Sequence, residues 1–201
     1  NKPINTVYHA TNGGVMASIE EAWSTNPVSY LQMRLDGPKS WSNKVDLPLS
    51  NQKYLKSFLF SKSEAFGSDH PLFRWNRTLD ASQISKQLNQ AQKVSSSFYP
   101  KEIKTISRGS SGRVTSLKIE GNIGSAIFLK VDEIRRVLRQ LPSTLFVVKE
   151  IKEGKWLFSG GGFGHGVGMS QSGAIDLAKN GWNTKQILSH YYPKTKYGFL
   201  P

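Results

Sequence analysis

The sequence contains no cysteine. That absence excludes disulfides, thiolate zinc sites and a cysteine nucleophile together. Long apolar runs are missing too: stretches such as Leu145-Phe146-Val147-Val148 fall far short of the roughly 20 residues a membrane-spanning helix needs. The opening Asn1-Lys2-Pro3-Ile4 carries no apolar signal segment. Either the protein is cytosolic or the targeting segment lies outside this chain, and an opening without Met, directly on strand-like residues, favours a trimmed product. Acidic side chains are scarce, with 14 Asp and Glu against 27 Lys and Arg, a formal charge of +13. Such a surface attracts polyanions over long range, and nucleic acid, an anionic membrane surface and an acidic cell-wall polymer all qualify.

What is present is an ordinary globular balance. Hydrophobic residues make up 37% of the 201 and charged residues 20%, which suffices for a core and argues against disorder throughout. Residues 3–9 alternate like a strand and run into the turn signal Asn12-Gly13-Gly14; residues 18–23 read as a short helix or turn closing at Trp23. The stretch 36–53 reads as a surface loop. A second loop, Gly67 to Pro71, precedes the aromatic segment Phe73-Arg74-Trp75. Asp80 predicts the N-cap of a helix with Ile84, Leu88 and Ala91 on one face. Short apolar runs over 101–130, broken by Gly109, Gly112, Gly121 and Gly124, predict strands. Asp132 is expected to cap a helix burying Ile134, Val137 and Leu138. Strands over 144–151 and 155–159 follow, turning at Glu153-Gly154. Two helices close the chain: one from Ser170 burying Ala174, Leu177 and Ala178 and stopping at Asn180-Gly181, and one capped by Thr184, burying Ile187, Leu188 and Tyr191 and stopping at Pro193. The expected class is α+β, with mixed sheets and short helices in one large domain or two lobes around a cleft.

The most informative segment is Gly160-Gly161-Gly162-Phe163-Gly164-His165-Gly166-Val167-Gly168-Met169-Ser170-Gln171, part of a stretch with seven glycines between Gly160 and Gly173. Glycine at alternate positions allows positive φ and close approach of a ligand, and leaves N–H groups for a cleft beside a helix start. The dinucleotide fingerprint G-x-G-x-x-G fails in every register, and no Gly-Lys-Ser/Thr follows to make a P-loop. His, Met, Ser and Gln among the glycines suit hydrogen bonding to hydroxyl and amide groups better than holding a polyphosphate.

These residues, with Gly173-Ala174, Ala178, Gly181 and Ile187-Leu188-Ser189-His190-Tyr191-Tyr192-Pro193, resemble the C-terminal signature of the SpoIID/LytB family, which comprises stage II sporulation protein D and the amidase enhancer. Upstream, Tyr8-His9-Ala10-Thr11-Asn12-Gly13-Gly14 with Trp23 matches another segment of that family. Tyr30-Leu31, Trp75, Ser111-Gly112-Arg113-Val114, Arg135-Arg136-Val137-Leu138 and Ser143-Thr144 with Phe146 fall in its order. The resemblance covers essentially all of residues 1–201 as one domain, N-terminally incomplete, with a lobe of strands and helix within about 73–150.

The resemblance implies an extracytoplasmic protein of the bacterial cell envelope acting on peptidoglycan glycan strands. It implies either a lytic transglycosylase, in which one Glu protonates the glycosidic oxygen and a 1,6-anhydro end forms, or a non-catalytic glycan-binding module that enhances a cell-wall amidase. The family's catalytic Glu is expected upstream of Asn1. Among the Glu residues present, Glu20 and Glu21 match the acidic stretch before Trp23, and these with Glu102, Glu120, Glu133, Glu150 and Glu153 are expected at the surface. With no paired ligand spacing among His9, His70, His165 and His190, no metal and no cofactor is expected. Nucleic acid is not an expected partner, because the basic residues are spread along the chain without a recognition motif. The expected glycan contacts are Gly164, His165, Gly166, Ser170, Gln171, Tyr191, Tyr192 and Arg136. His165 would orient or share a proton with the sugar, one of the two tyrosines would pack while the other lines the cleft, and Arg136 would either pair internally or meet a lactyl carboxylate. Ser170 reads equally as a helix cap.

Overall fold

Helix α4 (Ala81–Gln90) shows how closely local sequence dictates structure here. Asp80 accepts from the Gln83 N–H while the Gln83 side chain accepts from the Asp80 N–H, a reciprocal cap that satisfies two otherwise orphaned donors. Ile84 and Leu88, one turn apart, are fully buried. The computed structural model of the chain describes residues 3–122 and 125–198; the break expected at Gly124 lies outside them. Among the described residues no helix is long and apolar enough to cross a membrane.

The architecture is α+β. Strands β4 (Arg74–Asp80), β8 (Phe146–Lys152) and β9 (Lys155–Gly161) form an antiparallel sheet in the order β4-β9-β8, and β5 (Pro100–Arg108), β6 (Val114–Gly121) and β7 (Ala126–Lys130) form an antiparallel meander. Both sheets and α4 close on one core containing Trp75, Leu79, Leu117, Ile119, Phe146 and Phe158. Two smaller pairs tie distant parts of the chain together. Strand β1 (Tyr8–His9) runs parallel to β10 (Met169–Ser170), and β2 (Val15–Met16) runs antiparallel to β3 (Arg34–Leu35). Two further cores lie around them, one holding Leu55, Phe58 and Phe73, the other Met16, Val167, Leu177, Tyr191 and Tyr192.

Several boundaries differ from the sequence expectation. The strand expected over 3–9 is reduced to two paired residues. The stretch 36–53 contains α2 (Lys39–Ser42) and the start of α3 (Gln52–Phe60). Asn51 caps α3 by accepting from Lys53 and Tyr54, and Leu55, Phe58 and Leu59 form its buried face. Asp132 does not cap α5 (Asp132–Val137). It is the first helical residue, Val131 occupies the cap without a side-chain bond, and the Asp132 carboxylate pairs with Arg135 instead. The cap of α7 (Thr184–Tyr191) is Asn183, in a reciprocal box with Gln186, one residue before the Thr184 expected. In α6 (Gln171–Lys179) Leu177 is buried, Ala174 partly so and Ala178 exposed.

Candidate functional site

Three segments widely spaced in sequence converge on one buried cation. Arg113 is fully buried; its Nη1 donates to the Val15 carbonyl at 3.1 Å and its Nη2 to the Asn12 carbonyl at 3.0 Å. Burial lowers its pKa to about 10, with nearby Glu21 opposing the fall, so the guanidinium remains charged at neutral pH. Glu21, in helix α1 (Glu20–Trp23), is also buried: it accepts from the hydroxyls of Ser110 and Ser111 and from the Ser111 N–H. That corrects the surface position expected for it, and the reason is the polar loop 109–113 closing over it. The glycine loop is held from the same side: Thr11 and Phe163 exchange backbone hydrogen bonds, and the Ala17 N–H donates to the Gly166 carbonyl.

This arrangement explains the glycines differently from the sequence reading. A Cβ on Gly166, where φ is +81°, would land inside the Arg113 guanidinium, and one on Gly164, where φ is +113°, would strike the His9 side chain. Protein atoms, not a ligand, occupy the space those missing side chains leave. The amides are engaged as well. Gly161, Gly162, Phe163 and Gly164 donate to the carbonyls of Leu145, Phe73, Thr11 and Pro142 at 2.9, 3.2, 2.7 and 3.0 Å. The loop is bare so that three backbone segments can pack together.

His165 is half-buried. Its Nε2–H donates to the Tyr8 carbonyl at 3.0 Å and its Nδ1 accepts the Val167 N–H at 3.1 Å. Both ring nitrogens are thus committed to backbone, which leaves no nitrogen to share a proton with a substrate. Burial lowers its pKa from 6.5 to about 4; Arg113 and Arg135 push the same way, and the bond to Tyr8 pushes back. His9, buried beside it at a ring separation of 5.3 Å, donates from Nδ1 to the Val167 carbonyl. Its pKa is also lowered, by burial first and then by His165 and Arg113. A histidine whose native pKa lies below its unfolded value stabilises the fold fully above the unfolded pKa and loses that contribution as pH falls toward the native one. Thermal stability is therefore expected to fall between pH 6.5 and about 4, and His165→Asn should flatten that slope. A melting temperature equally pH-dependent in the variant would remove His165 as a source.

What His165 does offer is a ring face. Trp23 packs against it, tilted by 47°, at a centroid distance of 4.7 Å and remains 41% exposed. Phe163, 42% exposed, projects from the same loop, and Tyr8 is 60% exposed. Two hollows flank this aromatic surface. One, about 500 Å³, is lined by Ala22, Trp23, Lys130, Val131, Asp132, Glu133 and Arg136. The other, about 390 Å³, includes Arg77, Arg135, Arg136, Arg139 and Phe163. Arg136, 73% exposed, lines both. Trp23 and Phe163 were missed as contacts by sequence reasoning, although a large aromatic between glycines and a tryptophan closing a short helix were visible signals. The approach of Arg77 was not visible, because β4 comes from a distant part of the chain.

Ser170, Tyr191 and Tyr192 stand elsewhere. Ser170 is buried and caps α6 by accepting from the Gly173 N–H. Neither tyrosine lines a cleft: Tyr191 donates to Asp36 at 3.1 Å and Tyr192 to the Val7 carbonyl at 2.8 Å, both in the core. Asp36, fully buried, also accepts from Asn12 and meets His190 Nε2 at 2.8 Å. Gly173 lies against the Tyr191 hydroxyl. The tyrosine segment and Gly173 thus form a polar clasp inside the fold, away from any groove. Gln171 is exposed at the start of α6.

The fold and site define an α+β domain in which a glycine loop, locked by a buried arginine, presents aromatic rings at a basic groove. The chain belongs to the family described as Domain of unknown function (DUF8618), which matches residues 17–168. It is 26% identical over 220 residues, 96% of this chain and 29% of the relative, to a protein named Amidase enhancer from Bacillus subtilis (strain 168). It is also 37% identical over 84 residues, 41% of this chain and 21% of the relative, to an uncharacterized protein of Brachyspira hyodysenteriae (strain ATCC 49526 / WA1). The chain spans less than a third of the length of either relative.

Proposed function

We propose that this domain is a non-catalytic glycan-strand-binding module of a cell-wall protein that enhances an amidase, working outside the cytoplasm. The observation that carries the reading is the alignment of nearly the whole chain with a protein named Amidase enhancer. The groove geometry supports it. Exposed Trp23 and Phe163 offer flat apolar faces for the C–H faces of sugar rings, and Arg136 between the two hollows offers a fork for acidic or N-acetyl groups. A SpoIID/LytB-like domain over residues 1–201 is the matching family reading.

The carboxyl groups lining the groove also favour binding over cleavage by these residues. A general acid for glycoside cleavage needs a raised pKa. Asp132 pairs with Arg135 at 3.0 Å and lies 3.8 Å from Arg136. Glu133 has its pKa lowered: partial burial pushes up, but the Lys93 ammonium and the Lys130 N–H outweigh it.

The test is co-sedimentation with purified, peptide-free glycan strands, followed by mass spectrometry of the strands. Retention of the protein with unchanged strand ends is the expected result. New 1,6-anhydro ends would establish a transglycosylase instead, and failure to sediment would remove glycan as the ligand.

A further inference from the structure

We infer that the arginine-lined hollow beside Phe163 is a phosphodiester-binding site that takes an anionic polyol-phosphate polymer. Four arginines, Arg77, Arg135, Arg136 and Arg139, line one open space of about 390 Å³. Their compensation is slight. Asp132 meets Arg135 at 3.0 Å and reaches Arg136 only at 3.8 Å, while Arg77 and Arg139 have no ion pair among the described residues. Asp132, and Glu133 acting on Arg136 from the neighbouring hollow while it is also paired with Lys93, do not balance four cations, so the hollow stays net positive at the surface of a chain already at +13. A concave surface of one sign focuses its field and raises the local concentration of opposite charge.

The residue type narrows the ligand. All four cations are arginine, whose planar fork matches the paired oxygens of a phosphate. They come from separate elements, with Arg77 on β4 and Arg135 and Arg136 on the last turn of α5. Two or more can therefore approach one tetrahedral group from different sides. The rest of the lining is Gln140 with the apolar Leu72, Leu141, Pro142 and Phe163, which offer a surface for the carbon chain between successive phosphates. A single aromatic ring gives no succession of stacking platforms of the kind single-stranded nucleic acid uses, which favours a polyol backbone. The hollow shares Phe163 and Arg136 with the proposed glycan surface, while Trp23 and His165 lie outside it, so the two ligands are told apart by changing Arg77 and Arg139 alone.

The experiment titrates the intact protein with poly(glycerol phosphate), with a short duplex DNA and with phosphate-free glycan strands. Three proteins are compared: wild type, Arg77→Gln/Arg139→Gln, and Lys149→Gln/Lys152→Gln. The lysine pair lies on β8, two strands from Arg77 in the same sheet, and removes the same charge without touching the hollow. The arginine pair is expected to weaken poly(glycerol phosphate) binding at least about tenfold and to make its salt dependence shallower by about two charges. The lysine pair should stay within about twofold of wild type, and binding to phosphate-free glycan should be unchanged in both. Equal losses in the two variants would reduce the site to general charge attraction. DNA binding as tight as the polyol-phosphate, with the same dependence on Arg77 and Arg139, would overturn the polymer assigned. Circular dichroism and melting of both variants confirm that the fold is intact.

Discussion

Replacing Arg113 by Ala is expected to lower unfolding stability by about 3–5 kcal/mol, because it removes two charge-assisted bonds and leaves buried carbonyls unpaired. Those carbonyls belong to Asn12 and Val15, on the turn against which the glycine loop packs. Domains of this kind have only about 5–15 kcal/mol in total, so the variant should be largely unfolded at physiological temperature. Gly166→Ala attacks the same contact from the other side. Its methyl group meets the guanidinium, and its φ of +81° suits glycine, so a loss of about 2–4 kcal/mol is expected. Losses at the two positions should not add: Arg113→Met, used in place of Arg113→Ala, vacates the space into which the Gly166→Ala methyl points, so Arg113→Met/Gly166→Ala is expected to be more stable than the sum of its two single losses requires. Urea unfolding of the four proteins measures this. Strict additivity would mean that loop and arginine are independent.

Trp23→Ala is expected to weaken binding to peptide-free glycan strands about tenfold or more, or about 1.4 kcal/mol, with a modest change in melting temperature because the ring is 41% exposed. Large aromatics at the centre of a contact surface commonly carry energy of this size. The packing of Trp23 against His165 adds a second expectation. His165→Asn should also weaken binding, by leaving the indole unsupported, and combining it with Trp23→Ala should cost no more than Trp23→Ala alone. Unchanged affinity in Trp23→Ala would mean that glycan, if bound, lies elsewhere. Additive losses would mean that His165 touches the sugar itself, which its two backbone bonds argue against.

Much of the molecule is written in local sequence. The helix at Asp80, the hairpin turning at Gly154 and the helix starting after Ser170 follow from caps, alternation and turn residues, because each depends on neighbours within a few positions. The α+β class and the singular character of the glycine loop were legible for the same reason. The helix at Gln52–Phe60 was not, since it follows directly on a polar, loop-like run and its stripe of Leu55, Phe58 and Leu59 is made meaningful only by the surrounding core.

The site divides along the same line. Sequence alone determined that something unusual happens around His165, since alternating glycines permit a backbone path closed to other residues. What fills the vacated space was decided by tertiary structure, because Arg113 and His9 arrive there from positions far along the chain. The same long-range packing buried Tyr191 and Tyr192, committed Nε2 of His165 to the Tyr8 carbonyl, and left Trp23 and Phe163 as the exposed rings. A residue type states which bonds a side chain is able to make; the fold decides which partners reach it first, and the surface keeps what remains.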